Sequence, residues 1–192
     1  MIVLASGSAT RAAMLREAGV PFEAAAPRVD EAAVRAALAA EGAGPRDMAD
    51  ALAEAKARKV AGRRPEALVV GSDQVMDLRG EALGKVRGAE AVAARLLALS
   101  GRDHRLHSAA VACEGGAPVW RHVSSVRLRM RPLAPEEARA LARRPALEGS
   151  MGYLFEEMED LFEEVRGERE AILGMPMAAL LRWLRLRGEV GA

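Results

Sequence analysis

The chain is poor in several residue types that would each announce a particular chemistry. Cysteine occurs once, at Cys113, which excludes an internal disulfide framework and a cysteine-rich metal site and fits a reducing cytosol. Aromatic residues make up 3% of the sequence, too few for the stacking platforms of a single-stranded nucleic-acid module. Basic and acidic residues nearly cancel, 28 against 27, so the cationic surplus that grips nucleic acid through its phosphates is absent. No apolar run reaches the length of a membrane span, and Met1-Ile2-Val3-Leu4 is too short for a signal peptide. These absences lead us to expect a soluble, cytoplasmic protein with neither a nucleic acid nor a membrane as partner.

Histidine is also scarce. His104 and His107 stand three apart on a predicted strand, so they face opposite sides and cannot share a metal; His122 is isolated. Neither a Walker loop nor a nucleophile elbow occurs. Lysine appears at Lys56, Lys59 and Lys85 alone, with arginine supplying the remaining basic charge.

What is present suits one globular domain over residues 1–192, with 51% hydrophobic and 29% charged residues. Short apolar strands are predicted at Ile2-Val3-Leu4, Phe22 to Ala26 and Ala67 to Ser72. Helices are predicted from about Ala9 to Ala18, up to Ala40, from Met48 to Ala61, and from Ala89 to Leu99. A hairpin is expected around Arg79-Gly80, and a strand from His104 to Cys113 turns at Glu114-Gly115-Gly116. Val126, Leu128 and Met130 alternate with arginines in a half-buried strand, and helices follow at Pro135 to Arg143 and Met177 to Leu186. Crossovers mixed with hairpins imply a mixed-sheet α/β protein.

Several residues stand where chemistry is usually done. The apolar strand Val69-Val70-Gly71-Ser72 runs into Asp73, and open α/β sheets collect ligands beyond strand ends. A turn-forming aspartate is the plain alternative. Ser6-Gly7-Ser8 opens a helix whose free N–H groups could receive an anion, with Arg11 one turn in; an ordinary capped turn fits equally well. Lys56 interrupts the stripe Ala49, Leu52, Ala53 and Val60, and a buried ammonium needs a carboxylate or phosphate partner unless it snorkels to the rim. Glu31 and Asp73 together could hold a divalent cation bridged to phosphate, and Lys85 could clamp phosphate as a point charge. The acids from Glu156 to Glu164 are too dense to be all functional and suit a solvated face.

In chain order these pieces resemble the Maf family of nucleoside triphosphate pyrophosphatases. The similarity is carried by Leu4-Ala5-Ser6-Gly7-Ser8-Ala9-Thr10-Arg11, Val29-Asp30-Glu31, Ala53-Glu54-Ala55-Lys56-Ala57, Gly71-Ser72-Asp73, Gly84-Lys85, Leu99-Ser100-Gly101 and Ile172-Leu173-Gly174-Met175-Pro176. It spans nearly the whole chain. Departures from the family pattern are Ala9, Thr10, Val86 and Glu157.

The resemblance implies a long curved mixed sheet flanked by helices, with two lobes around a cleft. It implies hydrolysis of a nucleoside triphosphate to the monophosphate and pyrophosphate, with Asp73 as catalytic residue. Glu31 and Asp73 would hold Mg²⁺ or Mn²⁺, and Ser8, Arg11, Lys56 and Lys85 would bind phosphate. Thr10, Gln74 and Glu156 would set substrate specificity. Gln74 after Asp73 and Glu156 in Tyr153-Leu154-Phe155-Glu156 are similar to the branch that prefers 7-methyl-GTP, a cationic base suited to a carboxylate. A dTTP/UTP pyrophosphatase and a non-catalytic nucleotide-binding regulator of septum formation are the alternatives. A homodimer is compatible with the family.

Overall fold

The computed structural model describes residues 1–191. The elements are β1 (Ile2–Ala5), α1 (Ala9–Glu17), β2 (Phe22–Ala24), α2 (Glu31–Ala40), α3 (Pro45–Ala61), β3 (Leu68–Leu78) and β4 (Glu81–Leu83). Then follow α4 (Ala89–Leu99), β5 (Asp103–Glu114), β6 (Ala117–Met130), α5 (Pro135–Ala142), β7 (Phe162–Arg166), α6 (Arg169–Ile172) and α7 (Met177–Leu186). The sheet has the order β2-β1-β3-β5-β6-β7, with β4 also paired to β3. β1 is parallel to β2 and β3, and the other pairings are antiparallel. This is the mixed sheet flanked by helices that the sequence led us to expect.

The local causes are legible. β1 is buried throughout because it lies between two strands under helical cover. α3 starts with Pro45 at its first turn beside Asp47 and finishes with Arg58 and Lys59, each charge placed to suit the helix dipole. Its buried face packs Met48, Leu52, Ala53, Ala57 and Val60 against Val69 and Val75 of β3 and Val111 of β5. Gly71 makes this approach possible: a Cβ there would stand 2.3 Å from the Ala53 carbonyl oxygen and 2.6 Å from the Ala57 nitrogen. A second core joins α1 and α7 over the opposite face of the same strands, through Leu15, Val70, Met175 and Leu180. The third gathers α4, α5, the far half of β6 and the segment from Tyr153 to Leu161.

The structure corrects the expected strand boundaries. Asp73 is not at a strand end: β3 continues to Leu78, because β5 pairs it from Val69 through Asp77. Polar residues that resemble a turn are held extended by that partner. β2 stops at Ala24, and β6 begins at Ala117, its polar middle having concealed the period. β7 and α6 were not anticipated, since the acids of Phe162–Arg166 give a weak apolar pattern.

The crevice survives the correction. The β1 ladder ends where Ala5 faces Gly71, and the β4 ladder starts where Met76 faces Leu83. Between them Ser72 to Val75 have β5 on one side and, among the described residues, no strand on the other. The gap lies just past the carboxyl end of parallel β1, where α/β sheets place ligands.

Candidate active site

Successive residues of a strand face opposite sides, so β3 serves two environments. Asp73 points to the α3 side, where Lys56 Nζ lies 2.5 Å from its Oδ1 and 2.7 Å from Glu31 Oε1. The Asp73 and Lys56 side chains are each only 6% exposed, so the lysine does not snorkel; it is buried because two carboxylates meet it. Arg35 Nη2 approaches the other Asp73 oxygen, Oδ2, at 3.2 Å. Glu31 and Arg35, one turn apart on α2, therefore bracket the Lys56–Asp73 pair. Burial pushes the Glu31 carboxyl up, but the hydrogen bond and charge of Lys56, aided by Lys85 and Arg35, hold it below the usual carboxylate range.

Ser72 and Gln74 point to the opposite side, toward a cavity of about 440 Å³. Ser8, Thr10, Arg11, Gln74, Lys85 and Glu156 all line it, joined by Leu106, Tyr153, Phe155, Ile172 and Leu173. Ser8 caps α1 by accepting from the Arg11 backbone N–H. The Arg11 side chain donates to the carbonyls of Gly174 at 2.8 Å and Ser72 at 3.0 Å. Burial pulls its pKa down, while the charges of Asp73 and Glu31 oppose that pull. Much of Arg11 is thus spent on joining the chain's two ends across the crevice, with Nη2 making no hydrogen bond to the described residues.

Gln74 is likewise partly committed. Its Nε2 donates toward Ser108 Oγ and the carbonyls of Ala171 and Ile172, each at 2.9 Å, while its Oε1 accepts from none of the described residues. Ser108 Oγ and Ser72 Oγ donate to Ala171 and Gly174 at 2.6 and 3.0 Å. Together these side chains pin Ala171–Gly174 as one wall of the cavity. On the far wall Tyr153 is fixed by its hydroxyl, 2.7 Å from His104 Nε2. Thr10, Lys85 and Glu156 are exposed at the rim.

The expected residues therefore fall into two groups, Glu31, Lys56 and Asp73 on one face of β3 and the other six around the cavity on the opposite face. The contacts of Arg35, Ser72 and Ser108 were not expected from the sequence, whereas His104 is a buried structural residue behind Tyr153. Arg35 could have been suspected from its spacing of four from Glu31 on one helix. The two carboxylates converge on the Lys56 ammonium, each engaging it through one oxygen. Among the described residues no group of three or more His, Cys, Asp or Glu could hold a metal alone. Glu31 and Asp73 are two carboxylates, and Mg²⁺ takes one or two carboxylates alongside substrate phosphates.

Fold and site define an α/β protein whose crevice sets a buried charge cluster beside a half-apolar cavity. The chain belongs to the Maf family: the model for Maf-like proteins matches residues 1–187. It is 48% identical to the nucleoside triphosphate pyrophosphatase of Ruegeria pomeroyi, covering 98% of this chain and 97% of the relative. The nucleoside triphosphate pyrophosphatase of Caulobacter vibrioides is 46% identical over 98% and 96% of the two chains. A 7-methyl-GTP pyrophosphatase of Mesorhizobium japonicum is 44% identical over 98% and 97%.

Proposed function

We propose that this protein is a nucleoside triphosphate pyrophosphatase that cleaves the α,β-phosphoanhydride, with 7-methyl-GTP as preferred substrate. The observation that carries the reading is the convergence of Glu31, Lys56 and Asp73 from three separate elements on one buried point. Lys56 and Asp73 are the buried members, and a buried ion pair costs desolvation and is weak as a stabilising device, so a role in chemistry accounts for it better.

In this reading the base and ribose occupy the cavity and the phosphates lead over the rim toward β3. Water attacks phosphorus, the bridging oxygen leaves with pyrophosphate, and a nucleoside monophosphate remains. Asp73 orients the water and takes up its proton as base, or with Glu31 would hold a divalent cation that makes the water more acidic. Mg²⁺ or Mn²⁺ would neutralise developing phosphate charge when bound. Ser8, Arg11, Lys56 and Lys85 supply donors and positive charge to the phosphates. Each carboxylate oxygen has a second lone pair, so Asp73 can still hydrogen-bond the attacking water while Lys56 and Arg35 are in contact.

The substrate preference rests on Glu156 at the rim and Gln74 on the floor of the cavity. A carboxylate near a base favours one that carries positive charge, and the name of the Mesorhizobium relative agrees. The test is pyrophosphate release from 7-methyl-GTP, GTP, UTP and dTTP, with Mg²⁺, with Mn²⁺ and after exhaustive chelation. Release strongest from 7-methyl-GTP and lost on chelation is expected. Faster release from UTP or dTTP would overturn the preference, and tight binding with no release from any nucleotide would favour a regulator.

A further inference from the structure

Asp73 has two cationic partners, and they are not equivalent. Lys56 belongs to the core helix α3, is 6% exposed, and contacts both carboxylates. Arg35 belongs to α2, a helix with no buried residue, and its side chain is 24% exposed. Its grip on Asp73 is one contact of 3.2 Å, supplemented by a 3.8 Å approach of Nη1 to Met48 Sδ. It is also the only partner of Oδ2 among the described residues.

We propose that Arg35 is a stand-in cation: it occupies Asp73 Oδ2 in the resting protein and yields that oxygen to the divalent metal that enters with the nucleotide. The proposal rests on the reading that Asp73 and Glu31 take such a metal. An unpaired second oxygen would leave a buried carboxylate short of compensation, and Arg35 supplies it. A divalent ion brings twice the charge and needs that oxygen, so the two cannot share it at full strength. Arg35 is the partner that gives way, because its long, partly exposed side chain can swing while Lys56 is locked by packing. Glu31, one turn earlier, keeps its bond to Lys56, so α2 stays docked while its arginine leaves. Arg35 is a positioning residue: it acts by setting the availability of Asp73.

Competition of this kind is reciprocal, so removing Arg35 must tighten metal binding. The experiment is a titration of the intact protein with Mn²⁺ alone, followed by electron paramagnetic resonance, for wild type, Arg35→Gln, Arg35→Lys and Asp73→Asn. Circular dichroism checks each fold; α2 docks on the core through Val34 and Leu38, so the Arg35 variants should keep the wild-type spectrum. Arg35→Gln is expected to lower the Mn²⁺ Kd about tenfold, the size of one pairwise coupling. Arg35→Lys should restore a Kd near wild type, and Asp73→Asn should weaken binding and abolish the gain from Arg35→Gln in the double variant. An unchanged or weaker Kd in Arg35→Gln, or no detectable binding, overturns the proposal. If Asp73→Asn leaves Mn²⁺ binding untouched, the metal reading itself fails and takes the proposal with it. Failure of catalysis alone moves none of these titrations, so the two readings are separable.

Discussion

Lys56 and Asp73 lie 17 positions apart and meet as a buried pair of 2.5 Å, Nζ to Oδ1. The contact exists because α3 lies directly on β3, and α3 can lie there because residue 71 has no side chain. The charged cluster is therefore a consequence of one glycine as much as of its own residues.

Gly71→Ala should push α3 off the sheet. The added methyl would meet backbone atoms of Ala53 and Ala57, which cannot rotate away as a flexible side chain could. A loss of about 3 kcal/mol is expected, the upper part of the range for overpacking. Urea denaturation measures it. A stability within about 0.5 kcal/mol of wild type would show that the packing relaxes cheaply.

Asp73→Asn keeps shape and removes the charge that faces Lys56 and Arg35. Turnover should fall by about a hundredfold or more while the fold persists, as for loss of a general base or metal ligand. Steady-state pyrophosphate release with parallel circular dichroism decides. A rate close to wild type would remove Asp73 from the chemistry.

Glu156 stands exposed at the cavity rim, among other acids that face solvent. If it faces the base, Glu156→Gln should lower the preference for 7-methyl-GTP over UTP about tenfold in kcat/KM, the worth of one charge-assisted contact. An unchanged ratio would assign Glu156 to the solvated face.

His104 makes stability depend on pH. Its Nε2 bonds Tyr153, its Nδ1 is buried without a partner, and burial pushes the ring down to about 4 from an ordinary 6.5. The folded ring stays neutral while the unfolded ring takes up a proton below about 6.5, so the unfolded state binds more protons and stability falls with pH. The loss starts near the unfolded value and is complete once pH passes below the folded one. Relative to His104→Gln, the wild-type advantage at about pH 7.5 should shrink by about 2 kcal/mol at about pH 5. Chemical denaturation of both proteins at both pH values gives the difference. A constant gap would show that the ring is already solvated.

The sequence determined whatever depends on short-range pattern. The apolar face of α3 with Lys56 set in it, the apolar strand that leads into Asp73, and the Ser8 cap of α1 all follow from spacing and composition. The family resemblance rested on the same short segments, and the model for Maf-like proteins covers them. Tertiary structure alone decided three things. It carried β3 through Asp73 to Leu78, because β5 offered hydrogen bonds that outweigh the turn preference of polar residues. It separated Asp73 from Gln74 onto opposite faces and tied the Gln74 amide to Ala171 and Ile172, residues that no local pattern connects. It brought Arg35 to Asp73 across 38 positions. Periodicity says which side of a helix is apolar, but the partner of a buried charge is chosen by which elements pack together, and only the folded chain holds that information.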